Sequence, residues 1–126
     1  MPIAIVGHSG SGKTTVSRLL FRFYDPLHGE IKIGDYNIRH YTQKTIRQCI
    51  GIVPQDTVLF NDTLYHNIRY GNMTTPPEEV YRVAEQAKIK DFVETLPEKW
   101  ETQVGERGLK LSGGEKQRVA IARCLV

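Results

Sequence analysis

Gly7-His8-Ser9-Gly10-Ser11-Gly12-Lys13-Thr14 meets the pattern G-x-x-x-x-G-K-[ST] at every fixed position, and no other part of the chain narrows the fold as much. The pattern demands a strand before it and a helix after it. Ile3-Ala4-Ile5-Val6 reads as a buried strand, and Val16, Leu19, Leu20 and Phe23 recur at the i, i+3, i+4, i+7 spacing of a helix with one apolar face, ended by Asp25-Pro26. Glycines let the backbone between them curl until several N–H groups point inward at the positive end of the helix, a nest that suits phosphate oxygens. Lys13 adds a point charge for β- and γ-phosphates, and the Thr14 hydroxyl is a ligand type for Mg²⁺. The candidate phosphate-binding residues are therefore Gly7, Ser9, Gly10, Ser11, Gly12, Lys13, Thr14 and Thr15.

Downstream, Ile31 and Ile33 and then Tyr36 and Ile38 alternate about Gly34-Asp35, as in a short hairpin, and Thr42 can cap a brief helix through Gln48. Cys49 to Val53 reads as a second buried strand that stops at Pro54-Gln55-Asp56. From Asp62 the pattern turns helical. Thr63 can cap a segment ending at Gly71, and Thr75-Pro76-Pro77-Glu78 has the form of a capping box with Pro at the first helical position. Val80, Val83, Ala84 and Ala87 are the buried stripe that follows, a third short helix runs from Asp91 to Leu96 before Pro97, and Gly105 and Gly108 mark an irregular stretch. Strand-and-loop units followed by helices predict an α/β fold, with a core part over residues 1–61 and a helical part over 62–126.

Composition removes several alternatives. Hydrophobic residues make up 40% and charged residues 25%, with mean hydropathy −0.37, as in globular domains rather than disordered chains. No apolar run approaches the roughly 18 residues of a membrane-spanning helix. A net charge of +3 is too mild and dispersed for a nucleic-acid surface but fits a small anionic ligand. Cys49 and Cys124 form no CxxC, and His8, His28, His40 and His66 have no ligand spacing, so reduced thiols and no structural zinc are expected. Met1-Pro2 leads straight into the first strand, and Val119 to Val126 is still an apolar helical pattern with no stop signal. The expectation is a piece of a larger protein that starts and ends inside a fold.

A second motif, Leu111-Ser112-Gly113-Gly114-Glu115, opens the last helix, and Ser112 with Glu115 is a capping box in itself. Two glycines in a first turn cost helix stability, on the order of 1 kcal/mol each relative to Ala, and add nothing to a cap. Bare backbone at a helix N-terminus does, however, let a phosphate approach closely.

A phosphate loop followed by LSGGE and Gln117-Arg118 resembles the nucleotide-binding domain of ATP-binding cassette (ABC) transporters over the whole chain. Phe21 to Pro26, Val53 to Asn72 and Thr102 to Arg123 are similar to exporter cassettes, above all to the half-transporters of mitochondria and bacteria linked to iron–sulfur precursor, glutathione-conjugate or heavy-metal export. Departures are His8 for a more usual Pro or Gly, Thr14 for Ser and Cys124 for Ala, none of which removes a required group.

The resemblance implies a P-loop NTPase core of ABC type with a helical subdomain, truncated before the Walker B strand, that binds ATP and Mg²⁺. It gives Lys13 and Gln55 catalytic roles, Thr14 and Gln55 places at the metal, and Leu111, Ser112, Gly113, Gly114 and Glu115 a contact with the ATP of a partner domain in a head-to-tail homodimer. Gln55 also faces the transmembrane domains of the same transporter in that family, and no nucleic acid is involved. The parent would be an ATPase at a membrane, with this part on the cytoplasmic or matrix side. The isolated piece would be soluble and inactive, lacking the Walker B acids. A soluble ABC-type ATPase and an inactive nucleotide-binding fragment are the alternatives, the first disfavoured by the exporter-like Pro54 to Thr63 segment.

Overall fold

A computed structural model describes residues 2–126. The chain packs as two units, one ending at Gly51 and the other running from Ile52 to Val126.

In the first unit the glycine loop leads into α1 (Lys13–Leu20). The helix stops before Phe23 because Arg22 takes a left-handed backbone, φ 51°, well ahead of the Asp25-Pro26 terminator. That turn is held by side-chain chemistry. Arg22 Nη1 donates to the Tyr41 carbonyl at 2.7 Å and Nε to Asp25 Oδ1 at 2.8 Å; the latter bond holds the Asp25 carboxyl below the usual carboxylate range. The expected hairpin forms from β1 (Lys32–Ile33) and β2 (Tyr36–Asn37), antiparallel, with Lys32 opposite Asn37 and Ile33 opposite Tyr36. Gly34 sits at φ 59°, which its missing Cβ permits. A 3₁₀ turn over Ile38–His40 leads to α2 (Gln43–Cys49), and Thr42 Oγ1 accepts the Thr45 N–H at 3.1 Å as its cap. Among the described residues of this unit, Ile38 and Ile46 are the buried side chains.

Neither strand expected on the flanks of these elements forms. Ile3 to Val6 is unpaired, with Val6 91% exposed; Cys49 closes α2 instead of opening a strand, and Ile52 is 56% exposed. The cause is non-local: a strand exists only through the ladder it makes with a neighbour, and among the described residues the sole sheet is β1 with β2.

The second unit carries the apolar core. Helix α3 (Leu64–Arg69) starts at Thr63, whose Oγ1 accepts the His66 N–H at 3.0 Å. Its first turn is pinned to the segment before Gly105, because Leu64 N–H donates to the Thr102 carbonyl at 3.0 Å and Val104 N–H to the Asp62 carbonyl at 2.9 Å. Helix α4 (Pro77–Gln86) buries Val80, Val83 and Ala84, and Ala87 just beyond it is buried too, so the expected stripe is the one that packs. Its cap differs from the expectation. With Pro77 at the first helical position, the capping residue is Pro76, which has no side-chain acceptor. Thr75 lies one residue too early to cap and is buried, its carbonyl accepting from Arg69 Nε at 3.2 Å. α4 ends in a Schellman turn: Ile89 N–H reaches the Ala84 carbonyl and Lys88 N–H the Glu85 carbonyl, each at 3.0 Å, with Lys88 left-handed at φ 60°.

Helix α5 (Lys90–Thr95) and a 3₁₀ turn at Lys99–Glu101 precede the irregular stretch, where Gly105 has φ 97°. Helix α6 (Gly113–Leu125) then buries Val119 and Ala122 against Leu64, Ile68, Val83 and Val93 in one cluster. Each of the buried Leu, Ile and Val side chains contributes roughly 1.5–3 kcal/mol through loss of apolar surface to water. This cluster is what fixes α6 and, with it, the LSGGE turn.

Candidate nucleotide-binding site

The glycine loop is shaped by two kinds of constraint. Gly10 and Gly12 have φ of 81° and 93°, the left-handed region that side chains disfavour. Gly7 is needed for space instead: a Cβ there would collide with the Ser11 Oγ and lie 3.1 Å from the Ser11 Cβ. The loop thus brings Gly7, His8, Ser11 and Lys13 together. Lys13 bends back over it, with Nζ donating to the Gly7 carbonyl at 2.6 Å, the His8 carbonyl at 2.7 Å and Ser11 Oγ at 3.2 Å. Gly12, the residue capping α1, offers no side chain, and the first turn of α1 holds no acidic residue. Helix N–H groups that no side chain caps, beside an ammonium group, form a donor set for an anion. Ser9, Thr14 and Thr15 are exposed at this surface, where their hydroxyls are accessible.

The second motif forms the expected capping box in full. Ser112 Oγ accepts the Glu115 N–H at 3.3 Å, and Glu115 Oε2 accepts the Ser112 N–H at 2.7 Å. Because Ser112 uses its oxygen as acceptor, its hydroxyl proton is left to donate. Leu111 is buried and anchors the turn, whereas Ser112, Gly113 and Gly114 are exposed and a Cβ on either glycine would meet nothing within 4 Å. Space inside the chain therefore does not require these glycines, and the close approach they permit is toward something outside it. Gln55 lies on an exposed bend beyond the unpaired Ile52-Val53. Among the described residues no three His, Cys, Asp or Glu side chains gather as a metal site.

A polar cluster that sequence reasoning missed lies under the segment following Gln55. Asn67 is fully buried; its Oδ1 accepts the Phe60 N–H at 2.8 Å, and its Nδ2 donates to the Phe60 carbonyl at 3.1 Å and the Thr63 carbonyl at 3.0 Å. Arg123 of α6 donates from Nε to the Asn67 carbonyl at 2.9 Å, from Nη2 to Asn67 Oδ1 at 3.1 Å and from Nη1 to the Val58 carbonyl at 3.2 Å. Its guanidinium lies over the face of Phe60, 5.3 Å from the centre of the ring. The available signal was a polar residue on the apolar stripe Leu64, Asn67, Ile68.

A glycine loop with G-x-x-x-x-G-K-T chemistry, opening directly into a helix, defines a phosphate-loop domain of the P-loop NTPase class. The profile described as "ABC transporter" matches residues 2–126. The chain belongs to the ABC transporter family. It is 57% identical over 124 residues to the "Iron-sulfur clusters transporter ABCB7, mitochondrial" of Danio rerio, covering 98% of this chain and 17% of that protein. It is 60% identical over 124 residues to the "ATM1-type heavy metal exporter" of Novosphingobium aromaticivorans, covering 98% of this chain and 20% of the relative. A solved structure, "Structure of a bacterial Atm1-family ABC exporter with ATP bound", superposes with TM-score 0.87 at 58% identity, covering 94% of this chain and 21% of that one. The chain thus spans about a fifth of the length of these relatives, and the half-transporter group expected from the motifs is the one found. No helix among the described residues is long and apolar enough to cross a membrane.

Proposed function

We propose that this chain is the ATP-binding part of an exporter of the Atm1/ABCB7 kind, in which ATP hydrolysis drives transport across a mitochondrial or bacterial membrane. The observation that carries the reading is the pair of helix N-termini left open to an anion: α1, capped by no side chain and overlaid by Lys13, and α6, with bare Gly113 and Gly114. Residues 1–61 are then part of a RecA-like core and 62–126 a helical subdomain, with the Walker B strand and its acidic pair supplied by the rest of the parent protein.

In this reading Lys13 exchanges its bonds to the Gly7 and His8 carbonyls for the β- and γ-phosphates of ATP. Thr14 and Gln55 would hold a Mg²⁺ ion, which would supply charge compensation for the phosphates. Gln55 also orients the attacking water. The chain's own contribution to rate is positioning and charge compensation, the main catalytic terms in phosphoryl transfer. Ser112, Gly113 and Gly114 donate to the γ-phosphate held by the other subunit, so two copies close head to tail with two-fold symmetry around two nucleotides. The transmembrane domains of the same transporter are the other partner in this reading. The test is equilibrium binding of a fluorescent ATP analogue to the chain and to its Lys13→Ala variant. At least about tenfold weaker binding by the variant is expected from loss of a charge-assisted contact; equal affinity would overturn the reading.

A further inference from the structure

Asn67 occupies a position that an apolar residue would fill better for packing alone, since Leu64 and Ile68 on the same stripe are buried in the core. Its amide is used instead as a clamp. It grips both backbone groups of Phe60, the N–H at 2.8 Å and the carbonyl at 3.1 Å, as a neighbouring strand would. Arg123 grips the same clamp and, at 3.2 Å, the Val58 carbonyl, only a few residues past Gln55. The guanidinium is a planar fork with fixed donor directions, so several simultaneous bonds leave it little freedom. Arg123 stands near the C-terminal end of α6, the helix whose first turn is Gly113-Gly114-Glu115. A helix is stiff along its axis, so displacement at one end is felt at the other.

We propose, resting on the function above, that Arg123 and Asn67 are positioning residues that strap the backbone after Gln55 to the signature helix, so that the two move as one body when a nucleotide engages the Ser112 end. Nucleotide closure would thereby set where Gln55 stands. The strap acts through the backbone of Val58 and Phe60.

The decisive variant is Arg123→Lys in the full-length exporter, because lysine keeps the charge and the stem but loses the fork. The expected result is at least about a tenfold fall in kcat for ATP hydrolysis with KM for ATP within about twofold of wild type, since misplacement of a positioning group by about an ångström can cost up to about a hundredfold in rate. A kcat per folded molecule equal to wild type, or kcat and KM altered together, would overturn the strap. Should that variant fail to fold, amide hydrogen exchange on the wild-type chain decides. The Phe60 N–H is expected to open together with the amides of α3 and α6, and exchange as free as that of Asp56 would overturn the proposal. Wild-type exporter with no ATP hydrolysis above a Lys13→Ala control would remove the proposed function instead, while leaving the exchange result to judge the strap.

Discussion

Asn67→Ala removes the clamp, and its cost can be worked from the bonds it makes. The side chain is fully buried and holds four partners: Phe60 N–H at 2.8 Å, Phe60 carbonyl at 3.1 Å, Thr63 carbonyl at 3.0 Å and Arg123 Nη2 at 3.1 Å. At about 0.5–1.5 kcal/mol net for each bond, and more where a partly buried donor is left unpaired, the loss comes to about 3–4 kcal/mol. For a unit of this size that is a fall of roughly 12–32 °C in Tm. The chain has one tryptophan, and Trp100 packs against the core of the second unit, so its fluorescence reports this transition without contribution from the first. Asn72→Ala is the control. That side chain is exposed and accepts only from the Thr74 N–H at 3.1 Å and hydroxyl at 2.7 Å, and its loss should cost less than about 1 kcal/mol. Equal melting of the two variants, or an Asn67→Ala cost below about 1 kcal/mol, would refute the account of Asn67 as the polar centre of this unit.

Other expectations follow from single geometries. Lys88→Gly relieves a left-handed residue while keeping both Schellman bonds, and should stabilise the second unit by about 0.5–1 kcal/mol in urea titration; a loss of stability would contradict it. Gly7→Ala should weaken ATP-analogue binding at least about tenfold by forcing Ser11 out of the loop, and Ser11→Gly in the same chain should restore part of it. Should the double variant bind no better than Gly7→Ala, the collision is not the cause. The chain by itself should turn over ATP no faster than its Lys13→Ala variant, because positioning without a general base gives little rate; steady-state phosphate release well above that control would contradict it.

What the sequence made legible was what neighbours along the chain decide. The caps at Thr42, Thr63 and Ser112, the hairpin about Gly34-Asp35, the stripe Val80, Val83, Ala84 and Ala87, and the glycine loop before α1 all depend on residues within a turn or two of each other. Ile3 to Val6 and Cys49 to Val53 carry the composition of strands, but a ladder needs a partner that composition does not supply. The box at Thr75 was misplaced by one residue, since a double proline satisfies the first-position rule in two registers. Asn67 and Arg123 stayed unread for another reason. They meet across a separation of 56 residues, and nothing local to either announces the other.

The central claim is that the two open helix N-termini serve one nucleotide, one from each of two copies. Sedimentation of the complete nucleotide-binding domain, with its catalytic Glu disabled, tests this most directly when Mg-ATP, ADP and Gly114→Asp are compared. Gly114 has free space around its Cβ, so the substitution leaves the fold intact and places a carboxylate where a γ-phosphate would sit. The account predicts a dimer with Mg-ATP, a monomer with ADP, and no dimer for Gly114→Asp although ATP still binds the Lys13 loop. A dimer equally populated with ADP, or one indifferent to Gly114→Asp, would reduce the LSGGE turn to a helix cap and contradict the claim.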